Sequence, residues 1–466
     1  MATTQRSGVW NSGLALILTF TIAVLPTVGA DAQEQLAIKG GRIVPIVGEP
    51  IDDGVILIRD GTIQEVGKDL EIPIEARVID ATGKTVLPGF VEPHSPEPLV
   101  QPNEVNPNVP FVTVVDAVDP NAIYFEEARR NGVTAVHAIP GNSTMFGGKS
   151  AVVKTSGTFA EDMVLKRDAG LKLSLRPAGS SSRMSHLARL RRELDETKRY
   201  MASLEEKAQE SEDEAKDDDT ADEESSDDPK APQDEDEAKD DDDSNSASNP
   251  EDAAPDAQRE AMVRLLKGEL PAFLYCELAM DVPHALRLID DYKMKATLIL
   301  GRDCYKAVDL LAGRDEPVIL DPELVFWETD PRTDRDDQIV LPRLYREAGV
   351  PITFQTSGSS LFSATTLGPS LLWYQAAMAV KYGMPEEEAL EALTLRPARL
   401  IGVDSFVGSI EPGKDADLVI LTGDPLKLGT WVDTTIIDGK IVYRREDDSR
   451  MRALLFPNAE ESPDQE

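Results

Sequence analysis

The sequence has few of the residues that commonly form cross-links or reactive centres. Its 466 residues include only four histidines and two cysteines, Cys276 and Cys304. Two cysteines in so long a chain do not make a disulfide framework, although a single Cys276–Cys304 bond stays open. The sequence also has no Gly-x-Ser-x-Gly elbow, phosphate-binding glycine loop or Cys-x-x-Cys pair. These absences argue against serine-hydrolase, nucleotide-binding and dithiol sites.

Positive charge is also scarce, since 48 Lys and Arg stand against 85 Asp and Glu, for a net charge of −37. Nucleic acids and anionic membranes bind clustered basic residues, so this balance excludes both as partners. Much of the excess lies in Glu205–Ala257, which has 25 acidic residues, 4 lysines and no aromatic residue. Such a segment buries too little apolar surface to fold, so we predict a disordered acidic insertion over residues 205–257.

Residues 1–32 have the features of a secretory signal peptide. Arg6 gives a weakly basic start, the apolar run LALILTFTIAVLPTV is short, and Ala30 and Ala32 suit cleavage. A membrane-spanning helix needs about 20 apolar residues. We therefore predict export to the periplasm or the extracellular space, without membrane association after cleavage. An uncleaved anchor is the alternative.

Strand-rich segments occur at both ends of the remaining chain. Alternating Val and Ile with Asp-Gly and Gly-Lys turns predict antiparallel hairpins over residues 33–87, and a similar pattern returns over 401–446. Because chain ends usually lie close together, we expect one small β-sandwich domain from both. Between them, over 88–400, short apolar strands alternate with amphipathic helices, which favours a β/α barrel or an open parallel sheet. Residues 447–466 are a tail.

Several ordered motifs resemble the amidohydrolase superfamily, and within it the imidazolonepropionase-like branch. The chain carries VLPGFVEPH at 86–94, RRNGVTAVHAIPGNSTMFGGKSAVVKTSG at 129–157, LKGELPAFLYCELAMDVPHALRLIDDY at 266–292 and LTLRPARLIGVDSFVGSIEPGKDADLVILTGDPL at 393–426. The resemblance covers about Gln35 to Arg445 without the insertion. It implies an α/β fold, a distorted TIM (β/α)8 barrel plus a small β-sandwich from both chain ends. It also implies hydrolysis of a non-peptide C–N bond by a metal-activated water.

The same resemblance implies metal ligands and a proton-transferring aspartate that this chain largely lacks. His94 holds the first place of a His-x-His pair, and Pro96 stands where the second histidine is expected. Leu300 occupies the position after the sixth strand where the family has a histidine, and Ser357 occupies the position after the last strand where it has an aspartate. The resemblance therefore predicts a degenerate active site.

Four residues remain as pocket candidates: His94, Glu277, Tyr275 and Lys154. Tyr275 and Glu277 stand in the fifth-strand His-Ala-His context, and Lys154 matches a lysine that bridges two metals in some members. A catalytic zinc needs about three protein ligands and a water, and only His94 qualifies. We therefore expect no cofactor. In ordinary structural roles His94 would be hydrogen-bonded, Glu277 solvated or ion-paired, and Tyr275 packed.

The other three histidines lie off the metal pattern. His137 falls inside a predicted strand and His284 inside a predicted helix, so we expect structural roles for both. His186 begins a charged helix, and we expect it to face solvent.

Three interpretations of function follow. The favoured one is an exported amidohydrolase-like protein that is catalytically degenerate and binds a small-molecule ligand or pairs with an active relative, as a homo- or hetero-oligomer. The alternative is an active C–N hydrolase with a rebuilt zinc or other divalent-metal site around the four candidates. A third makes the acidic insertion the active element on an inert scaffold. Fold alone does not choose between them.

Overall fold

The computed structural model describes residues 35–177, 179, 181–218, 257–357, 371–427 and 429–455. The predicted signal peptide, most of the acidic insertion and the end of the tail lie outside these residues. Within the described part of the chain, no helix has both the length and the apolar character needed to cross a membrane.

Both strands and helices make up the described part of the chain. The strands are β1 (Gln35–Ile43), β2 (Ile51–Arg59), β3 (Thr62–Lys68), β4 (Arg77–Asp80), β5 (Thr85–Pro88), β6 (Phe90–Ser95), β7 (Val133–Ala138), β8 (Phe146–Lys154), β9 (Val164–Ser174), β10 (Ala272–Cys276), β11 (Ala296–Leu300), β12 (Val318–Ile319), β13 (Val325–Asp330), β14 (Arg335–Val340), β15 (Ile352–Thr353), β16 (Leu418–Leu421), β17 (Val432–Ile437) and β18 (Lys440–Arg444). The α-helices are α1 (Ile123–Arg130), α2 (Ala160–Met163), α3 (Arg183–Asp218), α4 (Ala257–Leu266), α5 (Val282–Tyr292), α6 (Leu341–Glu347), α7 (Leu372–Lys381), α8 (Glu386–Glu391), α9 (Leu395–Ile401) and α10 (Ser449–Leu455).

The two ends of the chain meet in one sheet, with strand order β18-β17-β16-β5-β1-β2-β3 and β4 paired to β1. Two Asp-Gly pairs make the tight turns between β2 and β3 and between β17 and β18. Asp60, Gly61, Asp438 and Gly439 all have positive φ, which two-residue hairpin turns of this kind require. The expected sandwich from both chain ends is therefore present.

The second large sheet is the barrel, with strand order β15-β12-β11-β10-β9-β8-β7-β6. Strand β8 runs antiparallel to both of its neighbours, and the other pairings are parallel. Residues alternate between the two faces of each strand. On β9, for example, Leu171 and Leu173 pack into the cluster that contains the helices, so Lys172 between them points into the barrel.

The two end strands of the barrel, β6 and β15, are joined by side chains. Glu92 Oε2 accepts hydrogen bonds from the Thr356 backbone N–H at 3.0 Å and from Thr356 Oγ1 at 2.7 Å. A backbone contact also ties β6 to the segment before α9, where Val91 N donates to the Leu393 carbonyl at 2.9 Å. Within the described residues no strand ladder joins β6 to β15. The predicted distorted TIM barrel with a β-sandwich is confirmed, and the distortions lie at β8 and at this seam.

The predicted extent of disorder in the acidic segment needs correction at its start. Helix α3 continues to Asp218, and α4 begins at Ala257, so residues 205–218 are helical rather than disordered. Residues 205–218 include five Glu, two Ala, two Lys and one Gln, which are good helix formers, and they contain no Gly or Pro.

Candidate functional site

A layer of polar side chains fills the barrel interior near the C-terminal ends of its parallel strands. His94 comes from β6, Lys172 from β9 and Tyr275 from β10, and Gln355 lies two residues after the end of β15. Each of these four residues is at most 2% exposed. These four side chains are therefore packed against other protein atoms and have almost no contact with water.

Hydrogen bonds link Lys172, His94 and Gln355 in a chain in which each donor and acceptor is fixed. Gln355 Nε2 donates to the Leu320 carbonyl at 2.8 Å, which turns Oε1 toward His94 Nδ1, 2.7 Å away. The nitrogen Nδ1 must therefore carry the proton, because an amide oxygen only accepts. The other ring nitrogen, Nε2, lies 2.8 Å from Lys172 Nζ and accepts from it. Both ring nitrogens of His94 are thus occupied.

Burial disfavours positive charge in this group. It lowers the pKa of the Lys172 amine well below its usual range, and among the described residues no carboxylate forms an ion pair with Lys172. Burial, followed by the nearby charges of Lys172 and His137, also lowers the pKa of His94 well below its usual range. Lys172 Nζ lies 5.7 Å from the centre of the Tyr275 ring. The amine donates a hydrogen bond to His94 whether it is charged or neutral, so this contact does not depend on its protonation state.

His137 lies in the barrel beside this layer. Its Nδ1 is 2.9 Å from the Pro93 carbonyl and its Nε2 is 2.7 Å from Ser150 Oγ. Its ring centre is 4.4 Å from that of Phe273. Burial lowers the pKa of His137 to about 3. These contacts satisfy the side chain and give it the structural role expected from its place in a strand.

The prediction that His186 faces solvent was wrong. Its side chain is buried, and Nε2 lies 2.8 Å from the Ser174 carbonyl at the end of β9. The second turn of α3 packs Leu187 and Leu190 into the core around the barrel, and His186, directly before Leu187, is carried inward as well.

Glu277 lies above this layer and is paired with arginines. Its Oε1 is 3.3 Å from Arg176 Nε, and its Oε2 is 3.7 Å from Arg183 Nη2. Arg183 also pairs with the buried carboxylate of Asp281. The side chain of Glu277 is 28% exposed. Its carboxylate therefore has the ion-paired role that was the alternative to metal binding.

Lys154 is not part of this group, which corrects its prediction as a pocket residue. Because β8 is antiparallel, its last residue pairs with Ala135, near the start of β7. That position is the N-terminal end of the barrel, where Lys154 contacts three aspartates of the sandwich domain. The lysine beside His94 is Lys172, on the next strand.

The three positions predicted to be degenerate have different surroundings. Ser357 Oγ lies 3.2 Å from Ser95 Oγ, which places Ser357 at the barrel mouth beside β6. Pro96 follows Ser95 and is half-buried. Leu300 packs into the layer between the strands and the helices and is 1% exposed, so a side chain at that position points away from His94.

Both cysteines are free and buried. Cys304 Sγ donates a hydrogen bond to the Cys276 carbonyl at 3.2 Å. The structure thus has two thiols in place of the Cys276–Cys304 bond that the sequence left open.

The residues of this layer do not fit a catalytic metal. Nowhere in the described ranges do three His, Cys, Asp or Glu side chains come together in a group that could hold a metal ion. A histidine binds metal through a ring lone pair, and in His94 the Nε2 lone pair is taken up by Lys172 while Nδ1 is protonated. No step of a reaction is therefore assigned to a metal at this position.

Sequence reasoning missed Lys172 and Gln355, although a signal for both was present. In the segment LKLS, Lys172 lies between two leucines, and in ITFQT, Gln355 follows Phe354. A polar residue that alternates with outward apolar residues on a buried strand points into a barrel. This alternation could have located both residues, whereas family motifs drew attention to Lys154 and Ser357.

Comparisons with known proteins agree with this architecture. Residues 276–442 match the model of the Amidohydrolase family. A solved amidohydrolase from Thermotoga maritima superposes with a TM-score of 0.69 at 27% identity, over 88% of this chain and 100% of that chain.

Matches to curated proteins are more local. An imidazolonepropionase of Brevibacillus brevis is 38% identical over 77 residues, which are 14% of this chain and 18% of that protein. An amidohydrolase of Hapsidospora irregularis is 22% identical over 416 residues, 82% of this chain and 39% of that protein. The chain thus covers well under two thirds of the length of these two relatives.

Proposed function

Because the chain belongs to the amidohydrolase superfamily and is similar to its imidazolonepropionase-like members, we propose that it is a pseudoenzyme of that superfamily. It keeps the barrel and sandwich but does not hydrolyse C–N bonds through a metal-bound hydroxide. It acts by binding a small-molecule ligand or by pairing with an active relative. Export to the periplasm or the cell exterior belongs to the same proposal, on the strength of residues 1–32.

The observation that carries this proposal is the state of His94. Its Nε2 accepts from Lys172 and its Nδ1 donates to Gln355, so the one histidine that matches the family pattern is already satisfied within the protein. A metal at Nε2 would have to displace Lys172 from that nitrogen and find two further ligands, since a catalytic zinc uses about three.

The packing of the barrel interior limits where a ligand could bind. Among the described residues, Lys172, Tyr275 and Gln355 around His94 are at most 2% exposed, so the imidazole offers little surface to a substrate. We therefore propose that a ligand binds at the rim or elsewhere on the surface. Pairing with a second subunit fits the same observation, because it needs no internal cavity.

The test is the metal content of the purified mature protein after extensive dialysis, measured by elemental mass spectrometry on wild type and on a His94→Gln variant. We expect both proteins to contain well under one equivalent of zinc, manganese or iron. We also expect added zinc to leave the thermal unfolding temperature of wild type unchanged. Near-stoichiometric metal in wild type that is lost in the variant would refute the proposal.

Metal that is near-stoichiometric in wild type and lost in the variant would favour an active hydrolase with a rebuilt metal site. The positions of its proposed residues count against it, because Glu277 is paired with Arg176 and Lys154 lies at the other end of the barrel. Native mass spectrometry, on the mature chain alone and with a co-expressed active relative, tests the pairing arm. A chain that stays monomeric in both samples would leave only the ligand-binding arm.

A further inference from the structure

One buried ammonium lies among three carboxylates where the barrel meets the sandwich. Lys154 Nζ is 2.6 Å from Asp415 Oδ2 and 3.3 Å from Asp417 Oδ1, and it also contacts Asp438 Oδ1. Lys154 ends β8 of the barrel, Asp415 and Asp417 precede β16, and Asp438 lies in the turn between β17 and β18. We name these four residues the Lys154 junction.

The three carboxylates differ in their exposure to water. The side chain of Asp438 is 54% exposed and that of Asp415 is 25% exposed, but that of Asp417 is only 1% exposed. Asp417 Oδ1 accepts from Lys154 and from the Asp438 backbone N–H, the latter at 2.9 Å. Its other oxygen, Oδ2, is buried and has no hydrogen-bond partner among the residues that the structure describes. A full negative charge on Asp417 is thus poorly solvated on one side.

The charges of the junction also disfavour an ionised Asp417. When all groups are ionised, one positive charge faces three negative charges, so two carboxylates repel each other without compensation. Lys154 lies closer to Asp415 and Asp438 than to Asp417, so Asp417 is the carboxylate that gains least from it. Gly89, directly after β5, adds a backbone contact from its N–H to the Asp417 carbonyl.

We propose that the Lys154 junction is a pH-sensitive contact, in which protonation of Asp417 tightens the attachment of the C-terminal strands to the barrel. In mild acid Asp417 is neutral, and Lys154 then faces two carboxylates that are both partly open to water. In mild alkali Asp417 is ionised, and the buried charge weakens the junction. The contact therefore strengthens in acid, the opposite of an ordinary salt bridge.

The pKa values of these groups agree in direction. Burial raises the pKa of Asp417 to about 7, although Lys154 and the Asp438 amide oppose the rise. Burial alone would lower the pKa of Lys154, but the charges of Asp417 and Asp438 and the hydrogen bond to Asp415 raise it. An acid whose pKa is higher in the folded state stabilises that state at low pH. It loses this contribution as pH rises from the unfolded value, about 3.9, through 7.

The experiment is hydrogen–deuterium exchange of peptides that contain residues 150–155 and 415–421, at pH 5.5 and pH 8.0, corrected for intrinsic exchange rates. The parent protein carries Glu92→Gln, because Glu92 also titrates in this range. We expect opening of the junction to be roughly tenfold or more frequent at pH 8.0 than at pH 5.5, from the linkage of proton binding to opening.

The variant Asp417→Asn in the same background imitates the protonated side chain and keeps an oxygen that accepts from Lys154. We expect its corrected exchange at the junction to be equal at the two pH values and close to that of the parent at pH 5.5. Asp424→Asn, in the partly exposed loop after β16, is the control and should keep the pH dependence of the parent. A parent without pH dependence, or an Asp417→Asn protein that retains it, would overturn the proposal.

Discussion

Lys172 Nζ lies 2.8 Å from Nε2 of His94 inside the barrel. The lysine acts as the hydrogen-bond donor that satisfies this nitrogen, and Gln355 satisfies the other. The imidazole is thereby held in one tautomer by these two side chains, and the Leu320 carbonyl in turn orients Gln355. Each of these contacts has consequences that solution measurements can check.

The first prediction concerns the protonation of the buried histidines. In a protein labelled with ¹⁵N-histidine, we expect His94 to show the Nδ1–H tautomer and to stay neutral from pH 5 to 8. His137, whose pKa burial lowers to about 3, should also not titrate in this range. Two-dimensional NMR of wild type and of the His94→Gln and His137→Gln variants assigns the signals. A His94 signal that titrates near pH 6.5 would contradict the hydrogen-bond assignment.

The second prediction is an energetic coupling between Lys172 and His94. A double-mutant cycle with Lys172→Met and His94→Phe should give a coupling energy of about 1 kcal/mol, typical of a buried hydrogen bond. Urea denaturation at pH 7 measures the four free energies of unfolding. Lys295→Met, at an exposed lysine, replaces Lys172→Met in the control cycle and should give no coupling. Equal values in the two cycles would show that the contact contributes nothing.

Glu92 gives a third prediction, on alkaline stability. Burial raises the pKa of Glu92 to about 8, against the two hydrogen bonds from Thr356. This carboxyl group therefore stabilises the fold fully below about pH 4.5, and the contribution is lost as pH rises through 8. Glu92→Gln should raise the free energy of unfolding at pH 9 relative to wild type by a few kcal/mol, since each pKa unit is worth about 1.4 kcal/mol.

The matching control for Glu92 is Glu277→Gln, at a carboxylate that is partly exposed and paired with arginine. It should not increase stability at pH 9. A Glu92→Gln protein whose difference in stability between pH 5 and pH 9 equals that of wild type would show that Glu92 does not titrate in this range.

A fourth prediction concerns Lys154. Replacing it with Met leaves three aspartates facing each other, one of them fully buried. We expect a loss of about 3–5 kcal/mol at pH 8, the usual cost of removing one partner from a buried ion pair. The loss should be smaller at pH 5.5, where Asp417 is neutral. Lys84→Met, at a pair with Asp433 in which both side chains are about a third exposed, should cost less than about 1 kcal/mol.

The thiols provide a fifth prediction. Burial raises the pKa of Cys304 and of Cys276 above the usual range, and only thiolates react readily with disulfide reagents. Titration with Ellman's reagent should detect no reactive thiol in the native protein and two after denaturation in guanidinium chloride. A denatured sample that shows none would indicate a Cys276–Cys304 disulfide.

The fold could be predicted from the sequence more completely than the site. Asp60-Gly61 and Asp438-Gly439 marked hairpins because turn geometry is a local property of two residues. The prediction that Lys154 lies in the pocket with His94 was wrong. The direction of β8 decides where Lys154 lies, and that direction depends on the pairing of β8 with β7 and β9, which the local sequence does not encode. The contact between Lys172 and His94 joins residues far apart in the chain, and motif matching could not supply their distance.

The two ends of β8 are fixed by different neighbours. Near its start, Gly148 packs against Val112 so closely that a Cβ atom there would lie 2.5 Å from the valine side chain. In its middle Ser150 meets His137, and at its end Lys154 enters the junction. A one-residue insertion or deletion within β8 would reverse the face of every following side chain. This strand should therefore tolerate substitutions on its outward face far better than any change in its length.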